Sequence, residues 1–145
     1  SAYKVAAHRH TPEIEQTLSK LAGQDATITF VPHLLPVNRG ILSTIYAHLK
    51  DGVTEQQLRD AYEQAYQNEH FVRVMAPGQA VNINHVRCSN YCDIQLYVDE
   101  HTRLLIVTSV IDNMVKGAAG QAIQNMNIIC GFDERDGLRA PGLLP

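Results

Sequence analysis

Three ionisable side chains near the start of the chain have the types and spacing for acid–base chemistry: His8, Arg9 and His10, with Glu13 suited to the first turn of the helix that follows. An imidazole titrates near neutral pH and can therefore donate or accept a proton in a reaction. The unpaired N–H groups and the dipole at a helix N-terminus favour anions, and a neighbouring arginine adds to that preference. The segment predicts a site in which a histidine acts as acid or base, and the arginine and the helix N–H groups bind an anion. The alternative interpretation is a polar helix entry with no chemical role.

An extended run followed by a helix is predicted to position these side chains. If the backbone from Tyr3 to His10 is extended, the two histidines share one face and the arginine takes the other. Thr11 is a suitable N-cap, Pro12 fits the first helical position, and Gly23 can end the helix in a left-handed conformation. The apolar residues of this helix have helical spacing: Ile14, Leu18, Leu21 and Ala22.

A further candidate for anion binding is Arg39, which lies in a segment over residues 32–40. Two prolines and a glycine interrupt regular structure there, which favours a loop of defined shape. The planar guanidinium can bind a phosphate or a carboxylate through paired N–H groups. The alternative is a solvated loop arginine.

The remaining segments alternate between strands and helices. Five of them have the composition or alternation typical of strands: 26–31, 41–49, 70–75, 91–98 and 103–111. Thr54 and Gln57 form a capping box for one helix. Asp112 suits the N-cap of another, which runs from residue 113 to about residue 129 and can end at Gly131. Mostly antiparallel strands with helices packed on one face predict an α+β fold.

Three finer expectations follow from the same patterns. The nearly continuous apolar run 104–107 favours a central strand, and residues 91–111 favour a hairpin. Residues 133–145, rich in proline and glycine at the end, favour an irregular tail. Arg59 is expected on the solvated face of the capped helix, whose buried stripe is predicted as Leu58, Ala61, Tyr62 and Ala65.

Glycines inside the last predicted helix indicate a close approach to its backbone. Gly117 and Gly120 each cost about 1 kcal/mol relative to alanine at a helix interior. The approaching group is either a neighbouring helix or sheet, or a flat ligand or cofactor near the helix start. In the second case Asn113 and Lys116 are the polar contacts. A lysine in the first turn opposes the helix dipole, which favours a visiting anion.

The cysteines offer a weaker signal. His85, Cys88 and Cys92 have a spacing compatible with three zinc ligands, but no fourth ligand is evident in the sequence, and buried thiols are the simpler interpretation. We therefore predict no metal site. Cys130 is expected to pack at a helix end. Three cysteines do not make a disulfide scaffold and favour a reducing cytoplasm.

The size and charge of the chain limit the classes of protein to which it can belong. At 145 residues we expect a single domain with a real core. A net charge of −3 and a pI near 6.1 indicate neither nucleic-acid nor membrane binding. We find no apolar run of about 20 residues and no signal-peptide pattern at the start. Because the chain opens at Ser1 without a methionine, we expect a piece of a longer protein.

Four long segments occur together in one order: residues 8–16, 32–42, 89–94 and 112–127. This series resembles the C-terminal catalytic domain of the N-acetyl-gamma-glutamyl-phosphate reductases, a family of arginine biosynthesis. The resemblance covers nearly the whole chain and implies the C-terminal domain fold of glyceraldehyde-3-phosphate dehydrogenase.

The resemblance implies an oxidoreductase that uses NADPH to convert N-acetylglutamyl 5-phosphate to N-acetylglutamate 5-semialdehyde. In such enzymes a cysteine thiolate forms a thioester, which is then reduced. The nucleophile and most of the NADP site lie in an N-terminal Rossmann domain, whose fingerprint and cysteine motif are absent from this chain. The chain alone is therefore expected to be inactive, to pair with that domain and to form homo-oligomers.

Matching the family motif residue by residue implies roles for the polar side chains. The expected catalytic residue is His8. The expected substrate-binding residues are Arg9, His10, Glu13 and Arg39. The expected cofactor-binding residues are Asn113 and Lys116.

Two other functions stay open at this stage. The chain can be an oligomerisation or ligand-binding module without catalysis, which the gene upstream of Ser1 would distinguish. It can also be a metal-dependent hydrolase that uses the pair His8 and His10, which elemental analysis for zinc would test.

Overall fold

The computed structural model describes residues 1–142, and contacts within the chain group them into two compact units. The first unit comprises Ser1–Val37, and the second begins at Asn38. The first contains helix α1 (His10–Ala22). The second contains a four-stranded sheet and the other helices.

Helix α1 begins earlier than predicted. Its N-cap is Arg9, and Thr11 lies inside the helix with its hydroxyl oxygen buried and without a partner, so the predicted cap is wrong. The first turn receives its acceptor from His8 instead, whose Nδ1 accepts the backbone N–H of His10 at 3.2 Å. The predicted stop is confirmed, because Gly23 has a left-handed φ of 68°. None of the residues of α1 is buried.

The residues before α1 form a turn and not the predicted extended run. Ala7 donates its N–H to the carbonyl of Lys4 at 3.0 Å. Lys4 and Ala6 have positive φ values of 46° and 52°, which side chains with a Cβ rarely adopt. Extended pairing is limited to one antiparallel bridge between Ala2 and His33.

The predicted strand at residues 26–31 is also wrong. Two backbone N–H groups of this segment donate to side chains of α1. Ala26 donates to Ser19 Oγ at 2.9 Å, and Ile28 donates to Glu15 Oε1 at 3.0 Å. These bonds satisfy donors that a strand would give to a neighbouring strand. The alternation of the segment is real, but it has no strand partner in the described structure.

The sheet of the second unit has the order β1-β4-β3-β2. Its strands are β1 (Ile41–His48), β2 (Val72–Val74), β3 (Cys92–Asp99) and β4 (Leu104–Ile111). The β3–β4 hairpin and the β1–β4 pair are antiparallel, whereas β2 runs parallel to β3. The predicted central position of residues 104–107 is confirmed, because β4 lies between β1 and β3. The mostly antiparallel α+β prediction is confirmed as well.

The core lies where helix α2 (Glu55–Tyr66) packs over β2 and β3. The capping box predicted for α2 is confirmed, since Thr54 and Gln57 exchange both hydrogen bonds. The core residues come from both central strands and from α2: Ile94, Leu96, Leu105 and Val107, with Leu58, Tyr62 and Tyr66 against them. Burying each aliphatic side chain contributes about 1.5–3 kcal/mol.

Arg59 corrects the predicted faces of α2. Its side chain is buried, with Nη1 donating to Gln95 Oε1 at 3.2 Å and Nη2 to the carbonyl of Leu96 at 3.0 Å. Nε donates to Glu55 at 2.9 Å. The arginine is drawn inward because β3 carries a fully buried polar side chain opposite it. Two members of the predicted buried stripe are exposed: Ala61 and Ala65.

The chain after β4 turns through a π-helical segment, Val115–Ala119, into helix α4 (Gly120–Cys130). Asp112 confirms its predicted capping role, since its carboxylate accepts the N–H groups of Met114 and Val115. The first turn is wider than predicted, because Gly117 donates to the carbonyl of Asp112 five residues back, at 2.9 Å. α4 ends at a left-handed glycine, as expected.

The other described segments are short. Helix α3 (Ile83–Val86) precedes β3. Residues 133–142 are turns and irregular structure, in line with the predicted tail, and residues 143–145 of that prediction lie outside the described residues. Among the described helices, none is long and apolar enough to cross a bilayer.

Candidate active site

The imidazole of His8 lies in an aromatic cluster within the first unit. Its ring centroid is 5.5 Å from that of Tyr3 and 5.3 Å from that of Phe30, and both contacts are edge-on. The ring of His10 is 4.7 Å away. The two histidine rings therefore lie side by side. A turn before α1 brings them together, and not the extended backbone that was predicted.

The surroundings of His8 disfavour its charged form. Burial among the neighbouring rings lowers the pKa of His8, and the nearby charges of His10, Lys4 and Arg9 lower it further. The Nδ1 atom is occupied by the hydrogen bond from the His10 amide. A neutral imidazole beside cationic groups at the start of a helix can hydrogen-bond a substrate oxygen while its neighbours attract an anion.

Arg9 and Glu13 also lie at the start of α1. Arg9 is the N-cap and Glu13 is the acidic residue of the first turn, and both side chains are exposed. The first unit thus contains together four of the side chains that the sequence singled out: His8, Arg9, His10 and Glu13.

In the second unit, Arg39 is paired with Asp112. The guanidinium Nη2 lies 2.8 Å from Asp112 Oδ1, and the Asp112 side chain is fully buried. Burial opposes ionisation of this carboxyl, but the Arg39 guanidinium and the backbone N–H groups of Cys88, Met114 and Val115 outweigh it and lower the pKa of Asp112. Arg39 is therefore not the freely solvated arginine of the simpler interpretation. The sequence identified Asp112 only as a cap and missed this ion pair.

Asn113 and Lys116 are both engaged within the second unit. Asn113 Oδ1 accepts the backbone N–H of Gly40 at 2.7 Å. The Nζ of Lys116 donates to Gln124 at 2.7 Å and lies 5.5 Å from the ring centroid of Phe71. Burial lowers the pKa of Lys116. These contacts explain a lysine at the helix start without a visiting anion.

Each of the two polar side chains expected to contact the cofactor makes a hydrogen bond within the protein, from Gly40 to Asn113 and from Lys116 to Gln124. Of the two glycines in the last predicted helix, Gly120 is approached more closely, and the approaching atoms belong to the protein. A Cβ built there would lie 2.4 Å from Asn90 Oδ1 and 2.6 Å from Val115 Cγ1. Close packing is thus the correct interpretation at this glycine, whereas Gly117 has only ordinary contacts.

The cysteines do not assemble a metal centre in residues 1–142, where no group of three metal-binding side chains is found. Cys92 Sγ lies 3.3 Å from Ser109 Oγ, and burial raises the pKa of its thiol. Cys130 is exposed, which contradicts the predicted packing. The helix end it occupies is open to solvent in this chain.

An open groove of about 570 Å³ runs beside α2 and β2. Its lining includes three carboxylates, Asp60, Glu63 and Glu69, and none of the predicted site residues. Negative potential from these groups opposes binding of an anionic ligand. The groove is not a candidate for the active site.

One face of the sheet presents apolar side chains to solvent. Register places Tyr46 of β1 and Tyr97 of β3 on either side of Ile106 of β4, so the three share a face. Tyr46 is 64% exposed and Tyr97 39% exposed. Leu42, on the same face of β1, is 51% exposed. We call these four residues the open sheet face, and exposed apolar patches of this kind mark interaction sites.

The architecture of the chain resembles that of a solved semialdehyde dehydrogenase. Aspartate semialdehyde dehydrogenase II from Vibrio cholerae superimposes with a TM-score of 0.62 over 85% of this chain and 37% of that chain, at 15% sequence identity. The domain therefore has the aspartate semialdehyde dehydrogenase-like α+β fold.

Sequence comparison gives the family. Residues 1–113 match the model of the semialdehyde dehydrogenase dimerisation domain, and the chain belongs to that family. N-acetyl-gamma-glutamyl-phosphate reductase of Pelotomaculum thermopropionicum is 56% identical over 144 residues, 99% of this chain. The Brachyspira hyodysenteriae protein of the same name is 57% identical over 137 residues, 94% of this chain. The chain spans 42% and 39% of these two relatives.

Proposed function

We propose that this chain is the C-terminal part of an N-acetyl-gamma-glutamyl-phosphate reductase, a cytoplasmic oxidoreductase of arginine biosynthesis. The observation that carries the proposal is the 56% identity with a reductase over 99% of the chain. The reaction is the NADPH-dependent conversion of N-acetylglutamyl 5-phosphate to N-acetylglutamate 5-semialdehyde with release of phosphate. The cysteine nucleophile belongs to the part of the enzyme outside this chain.

His8 is the catalytic residue in this proposal. Its partly buried imidazole adjoins the Arg9 guanidinium and the His10 ring at the start of α1. A histidine placed this way can assist the thiol and stabilise charge on the reacting carbonyl oxygen, and a positioned acid/base group contributes typically about 10²–10⁴-fold in rate.

Arg9, His10, Glu13 and Arg39 are proposed to bind the substrate. Arg9 supplies positive charge and His10 an imidazole beside a helix N-terminus, which suits a phosphate or a carboxylate. Glu13 suits a hydrogen-bond donor on the substrate, such as the N-acetyl amide. Arg39 is held by Asp112, and this pairing fixes the plane of its guanidinium.

NADP is proposed to bind mainly outside this chain. Asn113 and Lys116 are the residues that the family resemblance assigns to the cofactor. Their internal bonds to Gly40 and Gln124 suit a supporting role, in which they shape the helix start that faces the cofactor domain.

A second function, homo-oligomerisation, has its own support. The family model describes a dimerisation domain, and the open sheet face is apolar and solvent-exposed in the single chain. We propose that a second copy of the chain covers this face. The two functions are compatible, and a module that only oligomerises remains the alternative to the reductase.

Kinetics of two alanine variants in the complete enzyme test the proposal. His8→Ala should lower kcat by about 10²–10⁴-fold with little change in KM. His10→Ala should mainly raise KM, because an anion contact is present in both the ground state and the transition state. This chain, tested without the N-terminal part of the enzyme, should show no phosphate-dependent reduction of NADP with the semialdehyde. Wild-type kinetics in both variants would favour the polar helix entry over the site.

A further inference from the structure

The loop that carries Arg39 is held at three contacts. The Arg39 side chain donates from Nη2 to Asp112 Oδ1 at 2.8 Å, and the next residue, Gly40, donates its backbone N–H to Asn113 Oδ1 at 2.7 Å. Gly40 also has a φ of 109°, and a Cβ built there would collide with Ile83 Cγ2. The backbone around Arg39 is therefore fixed against both the π-helical turn and helix α3.

Asp112 is a rigid acceptor for this arginine. Its side chain is fully buried. Oδ1 also accepts the backbone N–H groups of Met114 at 2.8 Å and Val115 at 3.0 Å, and Oδ2 accepts that of Cys88 at 2.7 Å. Because three backbone donors hold the carboxylate independently of the arginine, the carboxylate positions Arg39 and not the reverse.

The ion pair leaves part of the guanidinium of Arg39 able to bind a ligand. The side chain is 30% exposed. Within residues 1–142 its bond to the protein comes from Nη2, and Nε is buried without a partner. A guanidinium anchored through one nitrogen keeps a fixed plane, which suits paired N–H contacts with an oxyanion.

We propose that Asp112 is a positioning residue of the reductase, which keeps the Arg39 guanidinium in the orientation that binds an oxyanion of the substrate. The inference rests on the proposed function and adds to it a residue that acts through the arginine alone. The oxyanion is either the phosphate or the carboxylate of the substrate, since both present paired oxygens to a guanidinium.

The size of the effect follows from the rotamers of Arg39. Each side-chain torsion has about three staggered wells, so releasing one or two torsions leaves about a third or a ninth of the molecules in the binding orientation. The apparent dissociation constant rises by the inverse of that fraction. Asp112→Asn should therefore raise one KM by about 3- to 10-fold. Arg39→Gln should raise the same KM by about 10- to 100-fold, the range for a lost hydrogen bond to a charged group.

Kinetics of the complete enzyme with semialdehyde, phosphate and NADP test this prediction. A rise in the KM for phosphate in both variants assigns the oxyanion to the phosphate, and a rise in the KM for the semialdehyde assigns it to the carboxylate. The double variant should have the KM of Arg39→Gln alone, because Asp112 has no route to the substrate once the arginine is gone.

Asp93→Asn is the matched control. It also removes a buried carboxylate from a partly exposed arginine, since Asp93 Oδ1 lies 2.6 Å from Nε of Arg73. It should leave both KM values unchanged. An effect of Asp112→Asn that persists in the double variant, or that Asp93→Asn reproduces, would show a general structural role and overturn the proposal.

Nitrogen NMR tests the positioning without reference to activity. The complete protein is labelled with ¹⁵N at arginine, and the Arg39 signals are assigned by their loss in Arg39→Gln. A guanidinium held on a buried carboxylate rotates slowly about its Cζ–Nη bonds. Nη1 and Nη2 should therefore give separate signals in the wild type at low temperature and one averaged signal in Asp112→Asn.

One averaged Arg39 signal in the wild type without substrate would overturn the proposal, and this result does not depend on whether Asp112→Asn folds. If the complete wild-type protein lacked reductase activity, the proposed function would fail, while the NMR measurement would still decide whether Asp112 orients Arg39.

Discussion

Arg39 and Asp112 lie 73 positions apart in the chain, yet the guanidinium Nη2 of one is 2.8 Å from the carboxylate of the other. The same carboxylate accepts the backbone N–H of Cys88 at 2.7 Å. One buried side chain therefore connects the loop before β1, the loop before β3 and the start of the π-helical turn. Removing this carboxylate should therefore destabilise all three segments.

Asp112→Asn should lower the free energy of unfolding by about 3 kcal/mol, the low end for breaking a buried ion pair, because the Arg39 side chain is 30% exposed. An asparagine at this position would replace one carboxylate oxygen with an N–H₂ group, which would face N–H donors that now bond to that oxygen. Urea unfolding measures the loss. Arg39→Gln is the matched control and should cost less, since backbone N–H groups still satisfy the carboxylate. A larger loss of unfolding free energy in Arg39→Gln than in Asp112→Asn would contradict the view that Asp112 connects the three segments.

Gly120→Ala should destabilise the protein by about 1–3 kcal/mol, the usual range for overpacking. The new Cβ would lie 2.8 Å from the carbonyl oxygen of Val115, a backbone atom that cannot move aside cheaply. Gly117→Ala is the matched control in the same region, with its nearest neighbour at 3.4 Å. It should be neutral or stabilising by up to about 1 kcal/mol, from helix propensity. Thermal or urea unfolding should therefore show a loss of stability in Gly120→Ala and none in Gly117→Ala, and equal losses would rule out the packing explanation.

The pH dependence of stability should carry a contribution from His8. Its pKa in the folded protein lies below the ordinary value of 6.5, so the unfolded chain binds its proton first as the pH falls. The stabilising contribution is present above pH 6.5 and is lost as the pH drops towards the folded pKa. Wild type and His8→Asn, compared by urea unfolding between pH 8 and pH 5, should differ in slope within that window. Parallel curves would show that the ring is not perturbed.

Tyr46→Asp should shift the protein towards monomer, because it replaces the most exposed apolar side chain of the open sheet face with a charge. Sedimentation equilibrium across a range of concentrations measures the association. Glu63→Asp, a conservative change in the acidic groove beside α2, is the control and should leave association unchanged. Association unaffected by Tyr46→Asp would move the interface to another surface.

Local patterns determined several features of this protein correctly. The capping box of Thr54 and Gln57, the β3–β4 hairpin and the glycine stop at Gly23 all depend on interactions between residues close in sequence. The family resemblance, too, is present in four segments of the chain and needs no coordinates. These features were predictable because their partners lie within a few residues, or because whole motifs recur.

Tertiary structure decided the features whose partners are distant. Arg59 has the position of a solvated helix residue, but Gln95 and Leu96 of β3 draw it into the interior. Residues 26–31 alternate as a strand does, but α1 takes up two of their donors. Arg39 looks like a free anion site until Asp112 is brought beside it. In each case the side chain alone permits two environments, and the free energy of desolvation and hydrogen bonding selects between them only when the fold supplies the neighbour.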